Sequence, residues 1–171
     1  MDEKLQPAVA ALKERVGAVE VEFRGQVTLT INPPERIVEA GRMLRDEFGF
    51  DMLVDETAVD YWPQVSPRFH LVYQLYSMKQ NVMLGLRAPL DGNTPHIHTI
   101  ESIYPNANWH EREIWDMFGV TFDGHSDLRR ILMPHDWEGF PQRKDYPLGY
   151  EEVQFSFDYK EIDLSKPRAK E

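Results

Sequence analysis

Leu5, Val9, Leu12 and Val16 recur at helical spacing among polar residues, and Gly17 follows them. This pattern predicts an amphipathic helix over residues 4–17. The period then changes. VEVEF and QVTLTI alternate apolar and polar positions on either side of Arg24-Gly25, which reads as a β-hairpin. Pro33-Pro34 precede Ile37, Ala40, Met43, Leu44 and Phe48, a second amphipathic helix opening on proline. DMLVDETAVDY, RFHLVYQLYSM and NVMLGLRAPL are three strand-like runs, with Trp62-Pro63 to Pro67 and Lys79-Gln80 in the turns between them. A third helix runs through WHEREIWDMF, with Asn108 as its cap, Glu111 completing an approximate capping box and Gly119 as its stop. The order α-β-β-α-β-β-β-α with short turns predicts an α+β domain over residues 1–119. Its sheet is mostly antiparallel or mixed, with helices on one face.

After Gly119 the periodicity stops. Residues 120–171 carry Pro134, Pro141, Pro147 and Pro167, yet also Ile131, Leu132, Met133, Trp137, Phe140, Tyr146, Phe155 and Phe157. That is too aromatic for a disordered linker. The pattern predicts an extended C-terminal segment that packs on its own domain and on partner subunits.

Length and charge narrow the function. The 171 residues suit one domain, and 42% hydrophobic residues suffice for a core. A net charge of −10 argues against a nucleic-acid partner and against adsorption to an anionic membrane surface. No apolar run is long enough to span a bilayer, and MDEKLQPAVAALKERV lacks the apolar centre of a secretory leader. The expected setting is cytoplasmic unless a partner carries the chain to a membrane. The chain has no cysteine, which excludes disulfides, thiol catalysis, cysteine-ligated zinc and ordinary iron–sulfur clusters within it.

The densest chemistry lies in WHEREIWDMFG. On a helix, Glu111 shares the apolar stripe of Ile114, Trp115 and Phe118. A carboxylate on a packed face needs a cation or donors, and Arg129 or Arg130 is the expected partner. Arg112 and Asp116 form an i,i+4 pair on another side, with Glu113 beside them. Three uses compete. His110, Glu113 and Asp116 as metal ligands would spread too widely for one ion. Glu111 and Glu113 as an acid–base pair would project on opposite sides. An ion-pair network fixing the helix to the tail or to a partner fits best. His96-x-His98 lacks a third ligand, His70 reads as a packed strand residue, and no serine elbow or Ser–His–Asp order occurs.

A longer stretch carries a resemblance. The spacing of Glu111-Arg112-Glu113, Asp116, Met117-Phe118, His125, Arg129 and Ile131-Leu132 resembles the signature of the C, or 30-kDa, subunit of NADH-quinone oxidoreductase, respiratory complex I. Trp137-Glu138-Gly139, Pro141 and Arg143-Lys144-Asp145-Tyr146-Pro147-Leu148 match a second mark of that family. Arg130 lies inside the first of these stretches. Phe140, Gln142 and His135 depart from it, standing where the family usually has histidine, leucine and an acid. The resemblance implies a non-catalytic core scaffold of the peripheral arm, on the cytoplasmic side of the cell membrane. It implies no cofactor in this chain, with flavin, iron–sulfur clusters and quinone on other subunits. The D subunit of complex I is the implied main partner, with the B and I subunits nearby. Residues 120–157 are expected to lie extended across the D subunit, with Trp137, Tyr146 and the arginines Arg129, Arg130 and Arg143 as anchors, and to order at least in part on assembly. The complex itself moves electrons from NADH to quinone and translocates protons. The alternatives are the equivalent subunit of a membrane-bound hydrogenase or deazaflavin-dependent dehydrogenase and, in a different class, a stand-alone metallohydrolase.

Overall fold

The computed structural model describes residues 2–147 and residue 160. Helix α1, Gln6–Val16, buries Val9, Leu12 and Val16 and ends at Gly17, whose φ of 71° is the left-handed geometry of a helix stop. Strands β1 (Val19–Phe23) and β2 (Gln26–Thr30) form the predicted hairpin. Helix α2, Ile37–Phe48, follows a short helical turn at Pro34–Arg36. Strands β3 (Met52–Asp60), β4 (Phe69–Ser77) and β5 (Val82–Leu90) are an antiparallel meander.

The five strands form one mixed sheet in the order β1-β2-β5-β4-β3. Its single parallel pair is β2 with β5, Thr28 opposite Gly85 and Thr30 opposite Arg87. That pairing arises because α2 and the β3–β4 hairpin intervene between neighbours in the sheet. Alternation along β4 buries Phe69, Leu71, Tyr73 and Leu75 on the helix-covered face, where they meet Leu84 and Leu86 of β5 and the apolar stripes of the helices.

Helix α3 spans Ala107–Phe118. It starts earlier than Asn108 would have capped it. The N-cap position is Asn106, without a side-chain cap, because the preceding turn already satisfies the first amides: Ala107 N–H donates to the Tyr104 carbonyl at 2.9 Å. Asn108 instead donates to Glu101 and Ser126, at 3.1 Å each. Two strands were not expected. β6 (His96–His98) and β7 (Thr121–Asp123) pair in parallel around α3 as a second, two-stranded sheet. Each has three residues, too few to establish an alternation in sequence. His96 and His98 are exposed on β6, and His96 Nδ1 lies 2.9 Å from the Thr94 carbonyl oxygen.

Candidate functional site

Asp116 is fully buried in the last turn of α3, and its carboxylate organises the loop beyond that helix. One oxygen accepts the backbone N–H groups of Ile131, Leu132 and Met133 at 3.0, 2.8 and 2.9 Å. The other accepts Arg130 Nη1 at 2.6 Å. Three successive amides aimed at one oxygen form an anion-binding nest. Burial would push the Asp116 carboxyl up, but these amides and the Arg130 guanidinium outweigh it and hold the carboxyl below its usual range. Arg130 also donates to the carbonyls of Trp137 and Gly139 at 2.7 and 3.1 Å and lies over the Trp115 and Phe140 rings. The arrangement closes the loop 130–139 around the end of the helix.

This corrects two expected pairings. Arg112 does not pair with Asp116. Its guanidinium donates to the carbonyls of Arg129 and Arg130 at 3.1 and 3.3 Å and lies over the Trp109 ring. Glu111 pairs with neither arginine. Its oxygens accept the Thr99 hydroxyl at 2.5 Å and the Ile100 N–H at 2.8 Å. Sequence proximity suggested Arg129 or Arg130, but the intervening strand β7 carries those residues to the Asp116 end of α3. Arg129 is exposed and pairs with Asp127 at 2.8 Å. His125 Nε2 stands 3.8 Å from Glu111. Its Nδ1 accepts the Asp127 N–H at 3.0 Å, so the ring proton sits on Nε2, toward the Asn108 carbonyl oxygen at 3.1 Å. Burial raises the Glu111 carboxyl, partly offset by Thr99 and Ile100.

A second anchor holds the chain further along. Asp60, at the end of β3, is bidentate with Arg68, both contacts being 2.9 Å, and also accepts the Lys144 N–H at 2.9 Å. Arg68 then reaches Asp145 at 2.9 and 2.5 Å. Burial would raise the Asp60 carboxyl, but the Arg68 guanidinium and the amides of Lys144 and Trp62 hold it down at about 2. Arg143 donates to the Phe118 carbonyl at 2.5 Å and packs over Phe69 and Phe140. Burial, then the nearby Arg68 charge, lowers the pKa of its guanidinium. A Cβ at Gly119 (φ 73°) would lie 2.7 Å from Arg143 Nη2, so this glycine both ends α3 and admits the returning chain. Trp137 and Tyr146 are half-buried; Tyr146 donates weakly to the Glu138 carbonyl at 3.4 Å and packs on Gly139.

Residues 120–147 thus lie back on their own domain as a strap, fastened at Asp116 and at Asp60–Arg68. Within this strap Arg130, Arg143 and Asp145 are engaged by groups of the same domain. Phe155 and Phe157 lie outside the described residues, as does Leu148.

The remaining candidate chemistry is dispersed. Glu113 is exposed, His110 faces Asp55 at 3.8 Å, and Asp116 is sealed under the strap, so the three diverge. No group of three or more His, Cys, Asp or Glu side chains among the described residues could hold a metal ion.

One buried acid went unnoticed in the sequence. Glu56 on β3 faces the core opposite Tyr73 of β4, and neither its oxygens nor the Tyr73 hydroxyl has a hydrogen-bond partner among the described residues. Burial, then the neighbouring Glu111 and Asp55 charges, pushes the Glu56 carboxyl well up. Burial and the Glu56 carboxyl raise the Tyr73 hydroxyl as well. The signal was available: the alternation Glu56, Ala58, Asp60 marks the inward face of β3.

Four similarities bear on this geometry. Residues 30–152 match the family described as respiratory-chain NADH dehydrogenase, 30 kDa subunit. The chain is 46% identical over 153 residues to the C subunit of NADH-quinone oxidoreductase from Salinispora tropica, covering 88% of this chain and 62% of that one. It is 47% identical over 152 residues to the corresponding subunit from Roseiflexus sp. strain RS-1, covering 88% of this chain and 86% of that one. Among solved structures, a trypsin-resistant fragment of Nqo5 superposes with a TM-score of 0.65 at 28% identity, covering 73% of this chain and 99% of the fragment.

Proposed function

The chain belongs to the 30 kDa subunit family of the respiratory-chain NADH dehydrogenase, and from that premise we propose that it is a non-catalytic scaffold of the peripheral arm of NADH-quinone oxidoreductase. No helix among the described residues is long and apolar enough to cross a membrane. The chain would sit peripherally on the cytoplasmic side of the cell membrane, held by other subunits. The D subunit is its main neighbour, with the B and I subunits close by. Flavin, iron–sulfur clusters and quinone belong to those and other subunits, and the assembled complex couples electron transfer from NADH to quinone with proton translocation.

The observation that carries this reading is where the signature charges go. Asp116, Arg130, Arg112 and Glu111 are all consumed by backbone groups and by one another. Groups spent on holding a loop serve architecture, whereas a catalyst needs groups free to meet a substrate. The test is affinity purification of the tagged chain from its native membranes. Recovery with NADH-oxidising, flavin-bearing and iron–sulfur subunits is expected. Recovery with a hydrogenase or a deazaflavin-dependent dehydrogenase instead, or hydrolytic turnover by the isolated chain with stoichiometric metal, would overturn it.

A further inference from the structure

The sheet has a second face that no helix covers among the described residues, and its rows can be followed strand by strand. Val19 lies opposite Thr30, Thr30 opposite Arg87, and Arg87 opposite Val72. The next row runs Val21, Thr28, Gly85, Gln74. Val19, Val21 and Phe23 on the edge strand are 60, 55 and 67% exposed. A row of large apolar side chains in water is what a monomer avoids and an interface supplies. Gly85 deepens the centre, since a Cβ there would stand 2.9 Å from the Thr28 hydroxyl. Val21, Phe23, Thr28, Thr30 and Arg87 line the resulting groove, of about 290 Å³.

Arg87 is the distinctive member. It is half-buried in a chain of net charge −10, yet the only hydrogen bond of its guanidinium among the described residues is a long one from Nη1 to the Tyr61 hydroxyl, at 3.3 Å. Its Nε is buried and without a hydrogen-bond partner among the described residues, as is Nδ1 of His70 on the same face. A buried guanidinium edge without an acceptor is costly and is satisfied best by a carboxylate held in its fork.

We propose that this face docks another protein subunit that presents an aspartate or glutamate to Arg87 and apolar side chains to Val21 and Phe23. The proposal rests on the reading of the chain as a subunit of a multi-subunit complex. A second copy of this chain fits poorly, because a two-fold contact through this face would bring Arg87 toward Arg87. The strap runs elsewhere: Lys144 and Asp145 are tied to Asp60 and Arg68 at the β3 end of the sheet, the edge opposite β1.

The test uses the full chain carrying Arg87→Lys in the assembled complex, treated with a zero-length carbodiimide that couples amines to carboxylates. The substitution keeps the charge and adds the reactive amine. An amide between residue 87 and an aspartate or glutamate of another subunit is the expected product. No cross-link at residue 87, a cross-link to residues 148–171 of the same chain, or one to a second copy would each overturn the proposal. A second variant, Arg87→Glu, should lower recovery of the chain in the complex by about tenfold or more while leaving its own unfolding transition in place, because like charges face each other across the contact. Unchanged recovery would equally overturn it. Co-purification of the unsubstituted chain with NADH-oxidising subunits tests the parent reading separately, so the two failures are distinguishable.

Discussion

Asp116 and Glu56 are both acids sealed inside the same domain, and their carboxyls are pushed in opposite directions. Asp116, beneath the strap, receives three backbone amides and a guanidinium, and its carboxyl is held ionised. Glu56, between the sheet and α3, receives nothing among the described residues and has Glu111 and Asp55 for electrostatic neighbours, so burial and those charges push its carboxyl well up. Burial raises both carboxyls; the supply of donors decides the outcome. The strap region is therefore a polar joint, strong while every partner is present. The layer around Glu56 is an apolar core that favours the neutral form of an acid.

Removing the donor hub should have the largest effect. Asp116→Ala strands Arg130 and three amides, and is expected to cost about 3–5 kcal/mol in chemical denaturation of the full chain. A loss below about 1 kcal/mol would show that water replaces the joint and that the two regions do not differ in kind.

Glu56→Gln should do little at neutral pH, within about 1 kcal/mol, because it puts an uncharged group of like shape where burial already disfavours the charged carboxylate. Its effect lies in the pH profile. Glu56 has a folded pKa above its unfolded value, so its favourable contribution is complete below about pH 4.3 and is lost as pH rises through the folded value. The variant should flatten the alkaline side of the stability curve. Superimposable curves for the two proteins would mean that Glu56 has a partner and ionises like Asp116.

Asp60 gives the opposite slope. Its folded value near 2 lies below the unfolded one, so its contribution is present above about pH 4 and is lost as pH falls through 2. Asp60→Asn should remove that acid limb. Asp145→Asn, at the more exposed end of the same ladder, should change stability by less than about 1 kcal/mol. An equal loss from both substitutions would mean that the ladder acts as one buried unit.

How much of this could be read from the chain differs between the two regions. The three helices and five longer strands followed from periodicity, because each buries one face over nine or more residues or, in the first hairpin, closes on a Gly-containing turn. Asp116 and Arg130 were both picked out, but their pairing was not: spacing along a helix suggested Arg112, whereas the fold returns Arg130 to the helix end. Asp60, Arg68 and Asp145 form one ladder in which Arg68 and Asp145 stand 77 positions apart, and no local pattern encodes that distance. Glu56 went unread although Glu56, Ala58 and Asp60 alternate, because the bulge between Leu53 and Asp55 breaks the run that would tie them to Leu53.

The central claim is that the signature acids fasten the strap to its own domain before any partner arrives. Hydrogen exchange at the amides of Ile131, Leu132 and Met133 in the free full-length chain tests it most directly. Slow exchange at all three, abolished in Asp116→Ala and unaffected in Glu56→Gln, is the predicted result. Exchange at the rate of an unstructured peptide in the free chain, with protection appearing only in the complex, would contradict it and make the strap a product of assembly.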